Sequence, residues 1–485
     1  MKNRTRSFCE GEPGERRMPA QKTRHIEESI PKNVPVRQGE ILELAVEGLG
    51  SGAEGVAHTD GFTVFVTGAL PGERVRARIN LVKKSYATAE LVEISAESPS
   101  RVRPSCPLYP ACGGCQLQHL SYEGQLSMKR RQVEDALRHI GGFEELSVLP
   151  TIGADNPWGY RNKMQFPVGR TPDGIVIGCF ARRSHIIIDA EGCLIQKETN
   201  NIILRAARDI VRELGIPPYD EDRHTGVLRH VMGRVGKDGD AMVVLVTATR
   251  ELQRAKEIVR RFRDRVPRLV SVQQNIQTYR NNVILGRETK LLWGRPTILD
   301  DIGALSFRVS PRSFFQVNTE QAGRLYDKTL EYADLHGTET VIDAYCGTGT
   351  ITLFLARKAR RAYGIEIVKP AILDAERNAR DNHIRNASFL VGDAAAVMPH
   401  LYHQGVRPEV IVVDPPRAGC ASSVLEVFAR MKPRRIVYVS CNPATLARDL
   451  AILRMLGYVP EELQPVDMFP MTSHVEVCAR LVKVD

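Results

Sequence analysis

Five short apolar runs between about residue 340 and residue 440 constrain the fold more than any other feature. They read TVIDAY, RAYGIEIV, ASFLVGD, PEVIVVDPP and RRIVYVS, and segments with helical periodicity, such as KPAILDAERNARDN, separate them. Runs that are apolar at nearly every position are typical of parallel strands buried on both faces, and helical crossovers join such strands. Residues 311–485 are therefore predicted to form a doubly wound, Rossmann-like α/β domain.

The rest of the chain divides by its sequence pattern into three parts. At 485 residues, the chain is long enough for several domains. Short β-type runs alternate with glycine over residues 36–95, which predicts a small closed β-barrel of the OB-like kind. Residues 96–310 indicate a mixed α+β domain of unpredicted topology. Residues 1–35, rich in charge, proline and glycine, predict a disordered extension in which Cys9 has no chemical role.

The charge of the chain favours a polyanionic partner. Lys plus Arg is 67 and Asp plus Glu is 57, which gives a net charge of +10, and such an excess suits nucleic acid. On the barrel, Arg74, Arg76, Arg78, Lys83 and Lys84 form either a face for single-stranded nucleic acid or an ordinary solvated face. Because no run is apolar enough for a spanning helix or a secretory signal, we expect a cytoplasmic protein that binds no membrane.

A glycine loop between the first strand and the first helix of the doubly wound domain predicts a cofactor site. The segment VIDAYCGTGTITLFLA places Gly347 and Gly349 in this loop, where glycine lets a ligand approach the backbone closely. A dinucleotide fingerprint would have a third glycine where this chain has Thr352. Glu366 ends the second strand, where a carboxylate can bind ribose hydroxyls, and Asp393 ends the third, near an adenine. S-adenosylmethionine, which has no pyrophosphate, fits better than a dinucleotide; a different doubly wound enzyme is the alternative.

Cys441 is the candidate nucleophile. It follows the fifth strand in VYVSCNP, and Asp414 follows the fourth in VVDPPRAG. Both positions lie at the carboxyl edge of the sheet, where ligands of open α/β sheets bind. This place favours a reactive thiol over a buried structural cysteine. Glu476, in SHVEVC, is the candidate carboxylate base, although periodicity alone is also compatible with a surface charge there.

A group of cysteines after the barrel predicts a metal site. The chain has ten cysteines, and in a protein without a secretory signal most are expected to be free thiols. Cys106, Cys112 and Cys115 lie close together around two glycines, and Cys193 follows in EGCLIQ. Four thiolates can hold either Zn²⁺ or a [4Fe–4S] cluster, and the spacing does not separate the two. Cys179 is the rival for the fourth ligand.

Five motifs together carry a family resemblance. FFQVN at 314–318, DAYCGTGT, DPPRAG, SCNP and HVE occur in this order. In this combination the chain resembles the RNA uracil-5-methyltransferases, which include the enzyme for uridine 54 of tRNA and enzymes for 23S ribosomal RNA. The resemblance extends from about residue 36 to the end, and the barrel resembles the TRAM domain of that family.

The resemblance implies a mechanism and a set of site residues. It implies that Cys441 adds to carbon 6 of uracil, that S-adenosylmethionine methylates carbon 5, and that Glu476 removes the carbon 5 proton. It places at the cofactor and uracil site Gln316, Tyr345, Glu366 and Asp414, with Asp393 as a weaker addition. Ribosomal members carry the same cysteine spacing with an iron–sulfur cluster, so the resemblance favours [4Fe–4S] on Cys106, Cys112, Cys115 and Cys193.

The leading hypothesis is methylation of carbon 5 of a uridine in 23S ribosomal RNA, with RNA and not DNA as the partner. Alternatives are the tRNA uridine-54 enzyme and a non-catalytic RNA-binding protein of ribosome assembly. A cytosine-5-methyltransferase is less favoured because DPPRAG lacks a cysteine, and an electron carrier is disfavoured by the complete cofactor loop. Phe314 and Phe315 are either stacking platforms for bases or core residues.

Overall fold

The computed structural model describes residues 34–484. The extension predicted for residues 1–35, with Cys9, lies outside the described residues except for its last two positions. No helix in the described part of the chain combines the length and apolarity that crossing a membrane requires.

The first unit is the predicted β-barrel. Its five strands close in the order β1-β2-β3-β5-β4, because β4 pairs with β1. Along β4 the residues alternate, with Val75, Ala77 and Ile79 inside and the arginines between them outside, as the two-residue period of a strand requires. The strands are β1 Ile41–Leu49, β2 Glu54–Thr59, β3 Phe62–Thr67, β4 Arg74–Val82 and β5 Tyr86–Ala96.

The central region contains a seven-stranded mixed sheet in the order β13-β12-β11-β10-β7-β8-β9, with α2 packed against it and α3 beside α2. Its elements are α1 Tyr122–Ala136, β6 Ser147–Val148, β7 Lys163–Thr171, β8 Gly174–Phe180, β9 Ile187–Asp189, α2 Glu198–Leu214, β10 Leu228–Val235, β11 Ala241–Thr247, α3 Ala255–Arg265, β12 Leu269–Ile276, β13 Glu288–Gly294, β14 Ile298–Ile302 and β15 Leu305–Val309. Strands β14 and β15 form a separate hairpin.

The C-terminal unit is the predicted doubly wound sheet, in the order β18-β17-β16-β19-β20-β22-β21-β6. Its strands are β16 Thr340–Asp343, β17 Arg361–Glu366, β18 Ala387–Val391, β19 Val410–Val413, β20 Arg435–Ser440, β21 Tyr458–Val466 and β22 Glu476–Lys483. Its helices are α4 Thr319–Ala333, α5 Thr350–Ala356, α6 Lys369–Asp381, α7 Ala394–His403, α8 Ser422–Met431 and α9 Pro443–Met455. The strands from β16 to β20 are parallel, and β22 runs antiparallel beside β20.

An element from before the central sheet completes this C-terminal unit. Strand β6 pairs with β21, and helix α1 packs against α9. Val133 and Leu137 are buried in the same core cluster as Tyr438 and Leu450. The chain therefore enters the C-terminal core, leaves it to build the central sheet, and returns at α4.

Candidate active site and thiol-lined cavity

The glycine loop joins β16 to α5, as the sequence predicts. Gly347 and Gly349 have φ angles of +54° and +82°, a left-handed region that favours glycine. A side chain at Gly349 would also lie only 2.9 Å from Cβ of Ala375. Across the loop, the half-buried carboxylate of Glu366 accepts hydrogen bonds from the backbone of Gly347 at 3.2 Å and of Val368 at 2.9 Å. Glu366 therefore lies at the carboxyl edge, facing the loop.

Two other predicted cofactor residues lie near this loop. Asp393 accepts a hydrogen bond from the backbone of Ala395 at 2.8 Å and so caps α7, a structural task that its position in the sequence did not reveal. Tyr345 is half-buried, and burial together with nearby Cys420 and Asp393 raises the pKa of its hydroxyl. Tyr345 and Asp393 therefore lie close enough for their charges to interact.

Strand register brings the predicted nucleophile and base together. Ser440 of β20 pairs with Val477 of β22, and continuing this antiparallel ladder by one residue places Cys441 across from Glu476. Asp414 follows β19, the other neighbour of β20, and so lies at the same edge. The sheet therefore collects a thiol and two carboxyl groups from three neighbouring strands.

The turn that carries Cys441 is tightly held. Asn442 caps α9 by accepting a hydrogen bond from the backbone of Ala444 at 3.1 Å, and Pro443 begins the helix, a position where proline fits. The Asn442 side chain also donates to the carbonyl of Arg417 at 3.0 Å. The SCNP turn is thereby joined to the DPPRAG loop.

Cys441, Glu476 and Asp414 together form what we call the catalytic corner. The pKa shifts of these three groups show that they interact. Burial, followed by the carboxyls of Glu476 and Asp414, raises the pKa of Cys441 to about 11, and the Arg417 guanidinium opposes this shift. Burial also raises the pKa of Glu476 well above its usual value, with Asp414 adding to the effect. The pKa of Asp414 rises to about 7, through burial and then through the charge of Asp343. Arg417 is thus a site residue that the sequence analysis missed.

Tyr326 is a second residue that the sequence analysis missed. It lies on α4, is 2% exposed, and its hydroxyl is 3.4 Å from Oγ1 of Thr350. Burial raises the pKa of Tyr326; hydrogen bonds with Thr350 and Gln316 oppose the shift, and the carboxyls of Asp414 and Glu476 add to it. Tyr326 therefore connects Gln316 to the catalytic corner. An aromatic at an apolar helix position gives no signal that separates this role from ordinary packing.

The two adjacent phenylalanines have different surroundings. Phe315 is 5% exposed and packs against Phe307, with ring centroids 5.7 Å apart. Phe314 is 75% exposed. Phe315 is therefore a core residue, whereas Phe314 is open to stack on a base.

The loop between β21 and β22, residues 467–475, leads directly to Glu476 and is anchored to helix α1. The Lys129 ammonium forms an ion pair with Asp467 in which both side chains have no exposed surface, and it also donates to the carbonyl of Phe469 at 3.2 Å. The Tyr122 hydroxyl donates to Asp467 at 3.0 Å, and the Gln125 side chain accepts from the backbone of Met471 at 2.9 Å.

The same loop is anchored to the segment after Cys115. The backbone groups of Gln116 and Leu117 both donate to the carbonyl of Met471, at 2.9 and 3.0 Å. The loop before Glu476 therefore has a direct backbone connection to the predicted cysteine ligands.

Five thiols line one cavity of about 280 Å³: Cys106, Cys112, Cys115, Cys179 and Cys193. Burial, helped by the charges of Cys193, Cys112 and Cys106 and opposed by a hydrogen bond with Gln118, raises the pKa of Cys115 to about 12. These sulfurs therefore lie near one another. A hydrogen bond with Cys179 lowers the pKa of Cys112. Over residues 34–484, no three or more His, Cys, Asp or Glu side chains form a group that could hold a metal ion. A metal site is thus not shown, and Cys179 lies in the same cavity as its rival Cys193.

A doubly wound sheet with a glycine loop at its carboxyl edge, together with an N-terminal barrel, forms the architecture that was compared with known proteins. The model of the tRNA (Uracil-5-)-methyltransferase family matches residues 298–484, and that of the TRAM domain matches residues 35–92. Uncharacterized RNA methyltransferases from Halalkalibacterium halodurans and Bacillus cereus are 51% and 49% identical to this chain. The alignments cover 93% and 92% of this chain and 98% of each relative. The chain belongs to the RNA uracil-5-methyltransferase family.

A solved structure extends the likeness to the whole fold. The tRNA (uracil-54, C5)-methyltransferase of Pyrococcus abyssi, in complex with S-adenosyl-L-homocysteine, is 29% identical. It superposes with a TM-score of 0.73 over 91% of this chain and 100% of the other. The predicted fold class and the predicted enzyme class, an RNA methyltransferase, are therefore confirmed.

Proposed function

We propose that this enzyme methylates carbon 5 of a specific uridine in 23S ribosomal RNA through a covalent adduct between Cys441 and carbon 6 of the base. The observation that carries the proposal is the corner formed by three neighbouring strands. There a half-buried thiol lies across from the buried carboxyl of Glu476, with Asp414 beside them and the glycine loop at the same edge. Since RNA is its substrate, we assign the enzyme to the cytoplasm.

S-adenosylmethionine is the proposed methyl donor, bound at the glycine loop. The solved relative holds the demethylated product of this cofactor. Glu366 already orients Gly347, and its remaining lone pairs can accept ribose hydroxyls. Asp393 uses one oxygen to cap α7, which leaves the other for the adenine side. The proposed contacts along the cofactor are completed by Gln316, Tyr345, Gly349 and Asp414.

The proposed reaction begins at the thiol. Carbon 5 of uracil is a weak nucleophile. Addition of the Cys441 thiolate to carbon 6 makes carbon 5 enolate-like and therefore nucleophilic. With a thiol pKa of about 11, little thiolate is present at neutral pH. Among the residues that the structure describes, the guanidinium of Arg417 is the positive charge that lowers the pKa of Cys441. We therefore assign Arg417 the stabilisation of the thiolate.

The second half of the reaction belongs to Glu476. After the methyl group has reached carbon 5, the Glu476 carboxylate takes the carbon 5 proton, and the electron pair returns to expel Cys441. Burial makes Glu476 a stronger base than an exposed glutamate, because it raises the carboxyl pKa.

The target uridine must leave its stack to reach Cys441, because a stacked, paired base shields carbon 6. Phe314, three-quarters exposed, can stack on the extruded base or on its neighbour. The amide of Gln316 offers both a donor and an acceptor, as reading a uracil edge requires. The outward arginines of the barrel, on residues 36–95, hold flanking phosphates in this proposal, so RNA binding weakens as salt rises.

The cysteine group Cys106, Cys112, Cys115 and Cys193 is proposed to hold a [4Fe–4S] cluster. Half-buried thiols that line one cavity are a donor set that suits a polynuclear iron centre. The cluster takes no part in methyl transfer in this proposal. Because the backbone of Gln116 and Leu117 supports the loop before Glu476, the cluster would instead keep that loop in place.

The second candidate function is tRNA uridine-54 methylation, which the activity of the solved relative favours. The two are distinguished by mapping 5-methyluridine in ribosomal RNA and tRNA from cells with the protein, without it, and with Cys441→Ala. Loss at one uridine of 23S ribosomal RNA, restored by wild type and not by Cys441→Ala, is the expected result. Loss in tRNA alone would establish the second candidate. Unchanged RNA would overturn both and leave a non-catalytic role in ribosome assembly.

A further inference from the structure

A second cavity, of about 560 Å³, opens beside the thiol-lined cavity, and Cys441 is not among its lining residues. The two share Gly114, Gln165, Cys179 and Ile284 as a common wall. We call the second cavity the side pocket. Its remaining walls bring cationic, aromatic and polar side chains together, among them Phe180, Arg182, Arg183, His185 and His230.

The side pocket has an aromatic wall. The rings of Phe180 and His185 lie 5.2 Å apart at an angle of 38°. The His185 side chain is 65% exposed, and its Nδ1 is 2.9 Å from the Glu221 carboxylate. The exposed ring of His185 and the half-buried ring of Phe180 offer a stacking surface to an unpaired base.

The side pocket is also lined by a buried histidine that lacks one hydrogen-bond partner. His230 is 7% exposed, and its Nδ1 has no hydrogen-bond partner among the described residues. Burial, and then the charge of Arg229, lowers the pKa of His230 to about 4. A neutral imidazole presents one donor and one acceptor, which matches the edge of a nucleobase better than a phosphate. Unpartnered buried polar groups are rare in proteins.

Two arginines, Arg182 and Arg183, line the side pocket next to the β-barrel. Arg182 donates to Glu54 of the barrel at 2.9 Å, and Arg183 lies 3.5 Å from the same carboxylate with its side chain 81% exposed. Two guanidinium groups share the Glu54 carboxylate, so this carboxylate balances the charge of only one of them. An ion pair as exposed as that of Arg183 contributes little stability, and Arg183 is available to a phosphate.

We propose that the side pocket binds one unstacked nucleotide of the RNA substrate, distinct from the methylated uridine. Its base would stack on Phe180 and His185 with its edge toward His230 and Gln165, and its phosphate would contact Arg183. The pocket would thus recognise the fold of the RNA around the target. This proposal rests on the proposed function only for the identity of the RNA.

The test is a set of RNA hairpins around the methylated uridine in which one nucleotide at a time lacks its base. If the wild type methylates no RNA, a uridine-rich single strand replaces the hairpin. Besides removal of the target base, removal of one further base should weaken wild-type binding about 5- to 150-fold, the equivalent of one stacked base. In Phe180→Leu and His230→Ala, the same removal should have no further effect.

Arg430→Ala, on the exposed end of α8, is the matched control and should respond to every base removal as wild type does. The proposal is overturned if base removals and side-pocket substitutions weaken binding independently. It is also overturned if Phe180→Leu and His230→Ala lower kcat at saturating RNA instead of raising KM. Failure of the proposed function appears separately, as an absence of methyl transfer by wild type, while the binding measurement still tests the side pocket.

Discussion

The buried ion pair between Lys129 and Asp467 supports a prediction about the position of the catalytic base. Both side chains are fully buried, and the loop that they hold ends at Glu476. Among the residues that the structure describes, Lys129→Met leaves the buried Asp467 carboxylate with the Tyr122 hydroxyl as its side-chain hydrogen-bond donor. Breaking a buried pair from one side costs about 3–5 kcal/mol, because an uncompensated charge remains. We expect that loss in the free energy of unfolding, together with faster amide hydrogen exchange over residues 467–475.

A double variant isolates the charge from the packing. In Lys129→Met with Asp467→Leu both charges of this pair are removed, and the main loss is the hydrogen-bond acceptor of Tyr122, worth about 1–3 kcal/mol. The double variant should therefore be more stable than Lys129→Met alone, as urea unfolding measures. If it is no more stable than the single variant, the ion pair does not act as described.

The catalytic readout distinguishes positioning from general instability. With Glu476 displaced, methyl transfer to carbon 5 should still occur, whereas proton removal should slow. In Lys129→Met the covalent protein–RNA adduct should therefore accumulate during turnover, and kcat should fall while KM for RNA changes little. A proportional loss of adduct and product would refute the positioning role.

Three further predictions concern the cofactor, the metal and the thiol. Glu366→Ala should weaken S-adenosylmethionine binding by about 1.5–3 kcal/mol for each ribose hydrogen bond lost, with Glu366→Gln less affected and RNA binding unchanged; calorimetry showing equal cofactor affinity would refute the ribose role. Anaerobically prepared protein should contain about four irons per chain, and serine at any member of the cysteine group should lose iron, while Cys179→Ser should retain it. Bound zinc without iron would reject the cluster, and iron loss in Cys179→Ser but not in Cys193→Ser would exchange the fourth ligand. Alkylation of Cys441 by iodoacetamide, followed by peptide mass spectrometry, should accelerate about tenfold per pH unit below its pKa of about 11. Glu476→Gln should lower that pKa because it removes a carboxylate that raises it, and Arg417→Ala should increase it; a pH-independent rate would contradict the thiol assignment.

Local sequence patterns predicted the strands whose burial produces a continuous run or a regular alternation of apolar residues. The central strands β16, β19 and β20 are apolar along nearly their whole length because helices cover both faces of the sheet. The alternation in β4 is that of a strand with one face inside a barrel. The pairing of β6 with β21 joins segments more than three hundred positions apart. No local pattern carries that pairing, so the sequence did not predict the strand that completes the C-terminal sheet.

The site was predictable where chemistry restricts the residue type, and less so where a side chain supports another. Cys441, Glu476 and Glu366 stand at strand ends that the apolar runs locate. Lys129 stands in MKRRQ, a stretch that resembles a solvated helix face, and it is buried only because Asp467 reaches it from the far end of the chain. Tyr326 is an aromatic in an amphipathic helix, and only the fold distinguishes it from its neighbours.

The measurement that tests the central claim most directly is the fate of RNA methylated by Glu476→Gln. Intact RNA and cofactor with a radiolabelled methyl group are mixed with this variant, and the products are separated on a denaturing gel. Elimination requires the Glu476 carboxylate, so the label should stay in a slow-migrating species in which protein and methylated RNA are covalently joined. The same species should be absent when Cys441→Ala is added to the variant. Normal turnover by Glu476→Gln with no trapped species would contradict the assignment of the base and make Asp414 the next candidate.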